Sequence, residues 1–233
     1  MNLLELRDIE TYIGQFHILE GVSLDVPEGS IVALLGRNGA GKTTTLRTIL
    51  GLNPARAGSV RFGGVDITAR ESFDIATMGI GYVPEYRAIF SDLSVEENLR
   101  IAERERGDFD RKEEMIFGLF PDLKRLVHLP GTNLSGGQQQ MLAVARALVP
   151  DNRLLLIDEP SEGLAPVIIE QMMEAIRQLS DRTTVLLVEQ NFIVASRLAS
   201  SYVIVEEGRT VDAGAMHELK DDDETIRKYL GAG

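Results

Sequence analysis

The chain has 233 residues, 44% of them hydrophobic and 26% charged, with a formal net charge of −12 and no cysteine. That length supports one large α/β domain with its own core, the acidic balance speaks against a nucleic-acid partner, and disulfides and thiolate metal sites are excluded. No apolar run approaches the roughly 20 residues that cross a bilayer, and the Met1–Glu5 start lacks the basic flank of a signal peptide, so a cytoplasmic chain is expected, held at a membrane only by a partner.

In chain order, the first 30 residues together with Gly58 to Thr68 read as antiparallel strands, because Val22, Leu24 and Val26 alternate with Ser23 and Asp25. Ile31–Leu35 reads as a buried strand. Ile80–Val83, Leu154–Ile157, Val185–Val188 and Val203–Val205 read likewise, and their nearly continuous apolar character is that of a parallel sheet covered on both faces. Helical spacing lies between them. Leu46, Ile49 and Leu50 share one face, and Met141, Leu142, Ala145, Leu148 and Val149 form another apolar stripe. From about Tyr86 to Leu134 the chain is charged and helical in spacing, without strong strands, which predicts a helical insert.

Gly36-Arg37-Asn38-Gly39-Ala40-Gly41-Lys42-Thr43 fits the pattern G-x-x-x-x-G-K-[ST], after a strand and before a helix. The glycines let backbone N–H groups approach phosphate oxygens, and the helix N-terminus adds partial positive charge. In that pattern Lys42 reaches the β and γ phosphates and the Thr43 hydroxyl ligates Mg²⁺. Thr44, in the first turn, joins the nucleotide-binding set. The strand Leu154–Ile157 ends in Asp158 and Glu159. Asp158 is placed to hold Mg²⁺, and Glu159, one residue further out, to polarise the attacking water as general base. Leu134, Ser135, Gly136, Gly137 and Gln138 precede an apolar helix that Ser135 can cap, with glycines that permit close backbone approach. This is a second anion site of the helix-start type.

Phosphate loop, Leu134–Gln138 segment, acidic strand end and the turn Ser161-Glu162-Gly163-Leu164-Ala165 come in an order and spacing that resemble the ATP-binding subunits of ABC transporters, over essentially the whole chain. Narrower likenesses are Tyr82-Val83-Pro84-Glu85 with Arg87 and Phe90, Ser94-Val95-Glu96-Glu97-Asn98-Leu99, and Gly137-Gln138-Gln139-Gln140-Met141-Leu142-Ala143. With Glu159-Pro160-Ser161, Gly163-Leu164-Ala165-Pro166 and Leu187-Val188-Glu189-Gln190-Asn191 they resemble the ATPases of branched-chain amino acid importers; urea importers of the same lineage are similar. The resemblance implies one domain over residues 1–233: a P-loop NTPase parallel-sheet core, an antiparallel β subdomain and a helical ABC subdomain at roughly 86–134.

It also implies ATP and Mg²⁺ as cofactors, and two such domains facing head to tail. Ser135, Gly136 and Gly137 of one then contact the γ phosphate held by the other. The implied partners are integral-membrane permease subunits, a second ABC ATPase (a different chain, or a second copy) and an extracytoplasmic solute-binding protein. The chain itself would be peripheral on the inner face of the cell membrane. Three residues depart from the wider family and agree with the subgroup. Glu85 replaces a glutamine and still reaches Mg²⁺ or its water, Gln190 replaces a histidine and still hydrogen-bonds the γ phosphate, and Ala165 replaces an aspartate. Glu162 has no explanation in the resemblance. For adenine the family places an aromatic before a glycine, where this chain has Ile13 before Gly14; Tyr12, and after it Phe16, are the stacking candidates.

Overall fold

The structure, a computed structural model, describes residues 1–180 and 182–231. Strands β1 (Asn2–Ile13), β2 (Phe16–Pro27) and β3 (Ile31–Leu35) lead into α1 (Lys42–Ile49), followed by β4 (Ala55–Phe62), β5 (Val65–Asp66), α2 (Ser72–Thr77) and β6 (Ile80–Val83). Three helices come next, α3 (Val95–Arg100), α4 (Asp108–Leu119) and α5 (Pro121–Arg125), before α6 (Gly136–Leu148). The chain then alternates through β7 (Leu154–Asp158), α7 (Pro166–Ser180), β8 (Thr184–Glu189), α8 (Phe192–Leu198), β9 (Ser201–Glu206) and β10 (Arg209–Ala215). It closes with α9 (Met216–Lys220), α10 (Asp223–Thr225) and a π-type turn over Ile226–Leu230.

Side chains alternate across a strand, and in the central sheet both faces are apolar. Ile31, Ala33 and Leu35 of β3 enter one buried cluster, and Val32 and Leu34 enter another. β7 and β8 divide the same way, with Leu155, Ile157, Val185 and Leu187 on one side and Leu154, Leu156, Leu186 and Val188 on the other. The sheet runs β10-β9-β3-β8-β7-β6, parallel except for the antiparallel edge strand β10. One face carries α6 and α7 through Met141, Leu142, Ala145, Ile176 and Leu179. The other carries α1 and a second, antiparallel sheet of order β2-β1-β4-β5, whose Val22, Leu24 and Val26 point inward as their alternation predicts. Each such side chain taken out of water contributes about 1.5–3 kcal/mol.

Between β6 and α6 the three helices bury Val95, Leu99, Phe109, Phe117, Phe120 and Leu123. α3 starts on a capping box, in which the Ser94 hydroxyl accepts from the Glu97 N–H at 3.2 Å and Glu97 Oε2 accepts from the Ser94 N–H at 2.7 Å. Asn98, fully buried, accepts from the Phe90 N–H and donates to the carbonyls of Phe90 and Leu93. It thereby ties the loop that follows Glu85 to the helical lobe. Among the described residues no helix is long and apolar enough to cross a membrane.

Candidate nucleotide-hydrolysis site

The carboxyl end of β3 opens directly into the glycine-rich loop. Gly36 sits at φ 150°, where a Cβ would lie 2.3 Å from the Val205 carbonyl oxygen, and Gly41, the N-cap of α1, sits at φ 108°. No side chain caps α1 and no acid stands in its first turn. Its leading amides are therefore left for an anionic ligand. Lys42 is only 4% exposed. Its Nζ donates to the carbonyls of Gly36 at 2.9 Å and Arg37 at 3.2 Å, and pairs with Glu159 Oε1 at 3.1 Å. The ammonium is thus held above the loop.

Asp158 and Glu159 leave the end of β7, two strands from β3. Asp158 is fully buried. The Thr43 hydroxyl donates to its carboxylate and the Tyr82 hydroxyl donates to Oδ2 at 3.5 Å, while Oδ1 has no partner. Burial pushes the Asp158 carboxyl up to about 6; Glu159 and Glu85 add to that rise, and Thr43 and Lys42 oppose it. A buried carboxylate oxygen without a donor, beside a threonine hydroxyl, suits a hard divalent cation with oxygen ligands. Among the described residues no group of three or more His, Asp or Glu forms a metal cage. Mg²⁺ needs none, since it binds through one or two protein oxygens plus phosphates and water. Glu159 adopts φ 44°, a left-handed conformation that costs a non-glycine residue about 1 kcal/mol or more. Its N–H donates to the Val188 carbonyl at 3.0 Å, and this turn aims its carboxylate at Lys42.

Lys42, Thr43 and Glu159 line one cavity of about 430 Å³, and Asp158 lies outside its lining. The loop and first-turn residues Asn38, Gly39, Gly41 and Thr44, the carboxylates Glu85 and Glu162, and the apolar Ile13 and Ile18 complete its lining. Partial burial, and then hydrogen bonding with Glu85, raises the Glu162 carboxyl above its ordinary value. Ala40 is buried behind the loop, and the Arg37 side chain turns away to donate to the Lys228 carbonyl at 2.9 Å.

The structure does not bring Tyr12 into this cavity. Tyr12 and His17 are cross-strand partners of β1 and β2, and their rings stack with centroids 4.1 Å apart; the Arg56 guanidinium lies 5.1 Å from the Tyr12 ring. Phe16 is exposed and also lies outside the cavity walls. Ile13, one residue on and therefore on the opposite face, supplies the wall instead. Gln190 is exposed just beyond β8 and does not line the cavity.

Leu134, Ser135, Gly136, Gly137 and Gln138 lie elsewhere, at the start of α6, and none of them lines the phosphate-loop cavity. Ser135 caps α6 in a capping box with Gln138, which accepts from the Ser135 N–H at 2.9 Å. The two glycines are contact sites: a Cβ would come within 2.9 Å of the Arg87 guanidinium at Gly136 and of Ile168 at Gly137.

Glu189, the last residue of β8, stands outside every motif role read from the sequence. It is 1% exposed. Oε1 accepts from the Ser161 N–H and Oε2 from the Asn191 N–H, both at 3.2 Å, and the Ser161 hydroxyl is a further donor. Burial raises this carboxyl to about 7. The available signal was an acid closing an apolar strand directly beside Leu35, where β3 opens into the phosphate loop.

A strand–loop–helix phosphate site, with a carboxylate pair at the end of a parallel strand, defines a phosphate-loop nucleotide hydrolase. The family model described as ABC transporter matches residues 19–162, and the chain belongs to this family of ATP-hydrolysing cassettes. The chain is 43% identical to the high-affinity branched-chain amino acid transport ATP-binding protein BraG of Pseudomonas aeruginosa, over 91% of this chain and 94% of that one. It is 34% identical to the probable branched-chain amino acid transport ATP-binding protein LivF of Archaeoglobus fulgidus, over 97% and 98%. The crystal structure of the ADP conformation of MJ1267, an ATP-binding cassette of an ABC transporter, is similar with a TM-score of 0.86 at 25% identity, covering 98% of each chain.

Proposed function

We propose that this chain powers the uptake of branched-chain amino acids by hydrolysing ATP on the cytoplasmic face of a membrane permease. The observation that supports hydrolysis is the convergence of Lys42, Thr43 and Glu159 on one cavity, with Asp158 behind Thr43. The solute class is inferred from the likeness to BraG and LivF.

In this reading the amides of the Gly36–Gly41 loop and Lys42 take the β and γ phosphates. Thr43 and Asp158 are the residues that would hold Mg²⁺, with Glu85 as a further carboxylate for the ion or its water. The ion, when bound, neutralises phosphate charge. Lys42 exchanges its Glu159 partner for the γ phosphate, and the released Glu159 carboxylate accepts a proton from the attacking water. Gln190 donates to the γ phosphate, and Ile13 and Ile18 form the apolar wall against which adenine lies. As the resemblance to ABC ATPases implies, Ser135, Gly136 and Gly137 contact an ATP held by a second ATPase, with a related chain preferred over a second copy; their place outside their own chain's cavity agrees with that role. Closing and opening of that pair moves the helices between β6 and α6 against the permease. A solute-binding protein outside the cell delivers the substrate.

The test is uptake of labelled leucine and of labelled urea by cells lacking this chain. Leucine uptake is expected to be lost, and to return with wild type but not with Glu159→Gln. Loss of urea uptake alone moves the substrate to the urea class, and no change in either overturns both. Purified Glu159→Gln is expected to bind ATP and dimerise stably while hydrolysing slowly; wild-type turnover in that variant overturns the base assignment.

A further inference from the structure

We infer that Glu189 is a positioning residue for hydrolysis, a buried clamp holding the chain segment that carries Glu159 and the segment that carries Gln190 in one fixed arrangement. The inference rests on the roles given above to Glu159 and Gln190. Two chain exits meet at Glu189. β7 leaves through Glu159 and Pro160 to Ser161, which offers its backbone N–H and its hydroxyl to the Glu189 carboxylate. β8 leaves through Gln190 to Asn191, whose N–H takes the other carboxylate oxygen, and whose side chain caps α8 by accepting from the N–H groups of Ile193 and Val194. The Glu159 N–H donates to Val188, the residue before Glu189, so the exits are joined on both sides of the catalytic position.

No cation pairs with Glu189 among the described ion pairs, and the nearby Glu159 disfavours its ionised form. A buried carboxyl in such surroundings is costly to keep unless its hydrogen bonds serve something. What these bonds serve is geometric. A carboxylate presents two acceptor oxygens, one to each exit, whereas a glutamine has one oxygen and must turn its NH₂ toward an N–H donor. Glu189→Gln therefore releases one exit while leaving the shape of the side chain intact. Glu189→Ala releases both, and Ser161→Ala withdraws only the hydroxyl donor.

The experiment measures steady-state ATPase parameters and equilibrium ATP binding for the full-length chain and these variants, together with thermal midpoints. Glu189 lies outside the walls of the phosphate cavity, so ATP affinity is expected to stay within about twofold of wild type. The value of kcat is expected to fall about tenfold in Glu189→Gln and further in Glu189→Ala. Ser161→Ala, mild alone, is expected to add less than its single effect on top of Glu189→Gln, because the two share one contact. Turnover within twofold of wild type in Glu189→Gln overturns the clamp, as does a loss of ATP affinity or thermal midpoint that parallels the loss of kcat. Glu159→Gln measured alongside separates the two readings. Full turnover there removes the base assignment, whereas loss there with full turnover in Glu189→Gln removes the clamp alone.

Discussion

Replacing Asp158 by asparagine is expected to make the nucleotide-free protein more stable while disabling its metal site. The carboxyl is fully buried, and its proton affinity rises from an ordinary 3.8 to about 6. At roughly 1.4 kcal/mol for each tenfold in affinity, holding the charge at pH 8 destabilises the fold by about 3 kcal/mol. The amide carries no charge: with its oxygen at the Oδ2 position it still accepts from the Tyr82 hydroxyl, and its NH₂ takes the place of an Oδ1 that is already without a partner, so the exchange removes the buried charge without orphaning a further position. In a chain of this size about 3 kcal/mol raises the thermal midpoint by about 6–12 °C. The sign with pH follows from linkage. Between the unfolded and folded values the native wild type binds the extra proton, so its stability falls relative to the variant as pH rises from about 4 to about 6 and stays low above that. The gap is expected to be about half as large at pH 5 and to vanish near pH 3.5. Thermal scans in EDTA across that range are the assay. A variant no more stable than wild type at pH 8, or a gap that does not shrink toward acid, refutes the buried-charge argument. Stabilisation by Mg²⁺ with ATP is expected to be lost in the same variant.

Lys42→Ala is expected to weaken ATP binding at least tenfold, about 1.4 kcal/mol, measured by equilibrium titration; undiminished affinity counts against the phosphate loop. Gly36→Ala drives a methyl group into the Val205 carbonyl, with no flexible side chain to yield. It is expected to cost about 1–3 kcal/mol in thermal or urea unfolding. Phe120→Ala, at a ring 1% exposed in the helical lobe, is expected to cost about 3–5 kcal/mol by the same measurement.

The strands of the central sheet were legible because both of their faces are buried, which writes each one as an unbroken apolar run. The phosphate loop was legible because its glycines and lysine work only at fixed spacing between a strand and a helix. Asp158 and Glu159 followed, since the end of such a strand has one outlet. Tyr12 shows where the reading stopped. Alternation says that Tyr12 and Ile13 face opposite ways, but which of them meets the cavity depends on the register across the tight turn at Gly14 and Gln15. The pairing of Tyr12 with His17 decides it. Glu189 was unreadable for another reason: an acid at a strand end looks the same whether water solvates it or two loops converge on it. The edge strand β10 and the long α7, which buries Met172, Ala175, Ile176 and Leu179, also belong to packing that becomes visible only in three dimensions.

The phosphate cavity is lined by one lysine and three glutamates, in a chain of net charge −12. Long-range electrostatics therefore push an uncomplexed tetra-anionic triphosphate away, and attraction begins only once it reaches the loop amides and Lys42. Added monovalent salt shortens the reach of that repulsion. The association rate of the nucleotide should accordingly rise with ionic strength, the reverse of the behaviour of a basic, electrostatically steered nucleotide site. A divalent ion travelling with the triphosphate would lower the same barrier, so the metal complex is expected to associate faster than bare nucleotide at the encounter itself, before any ligand to the metal has closed.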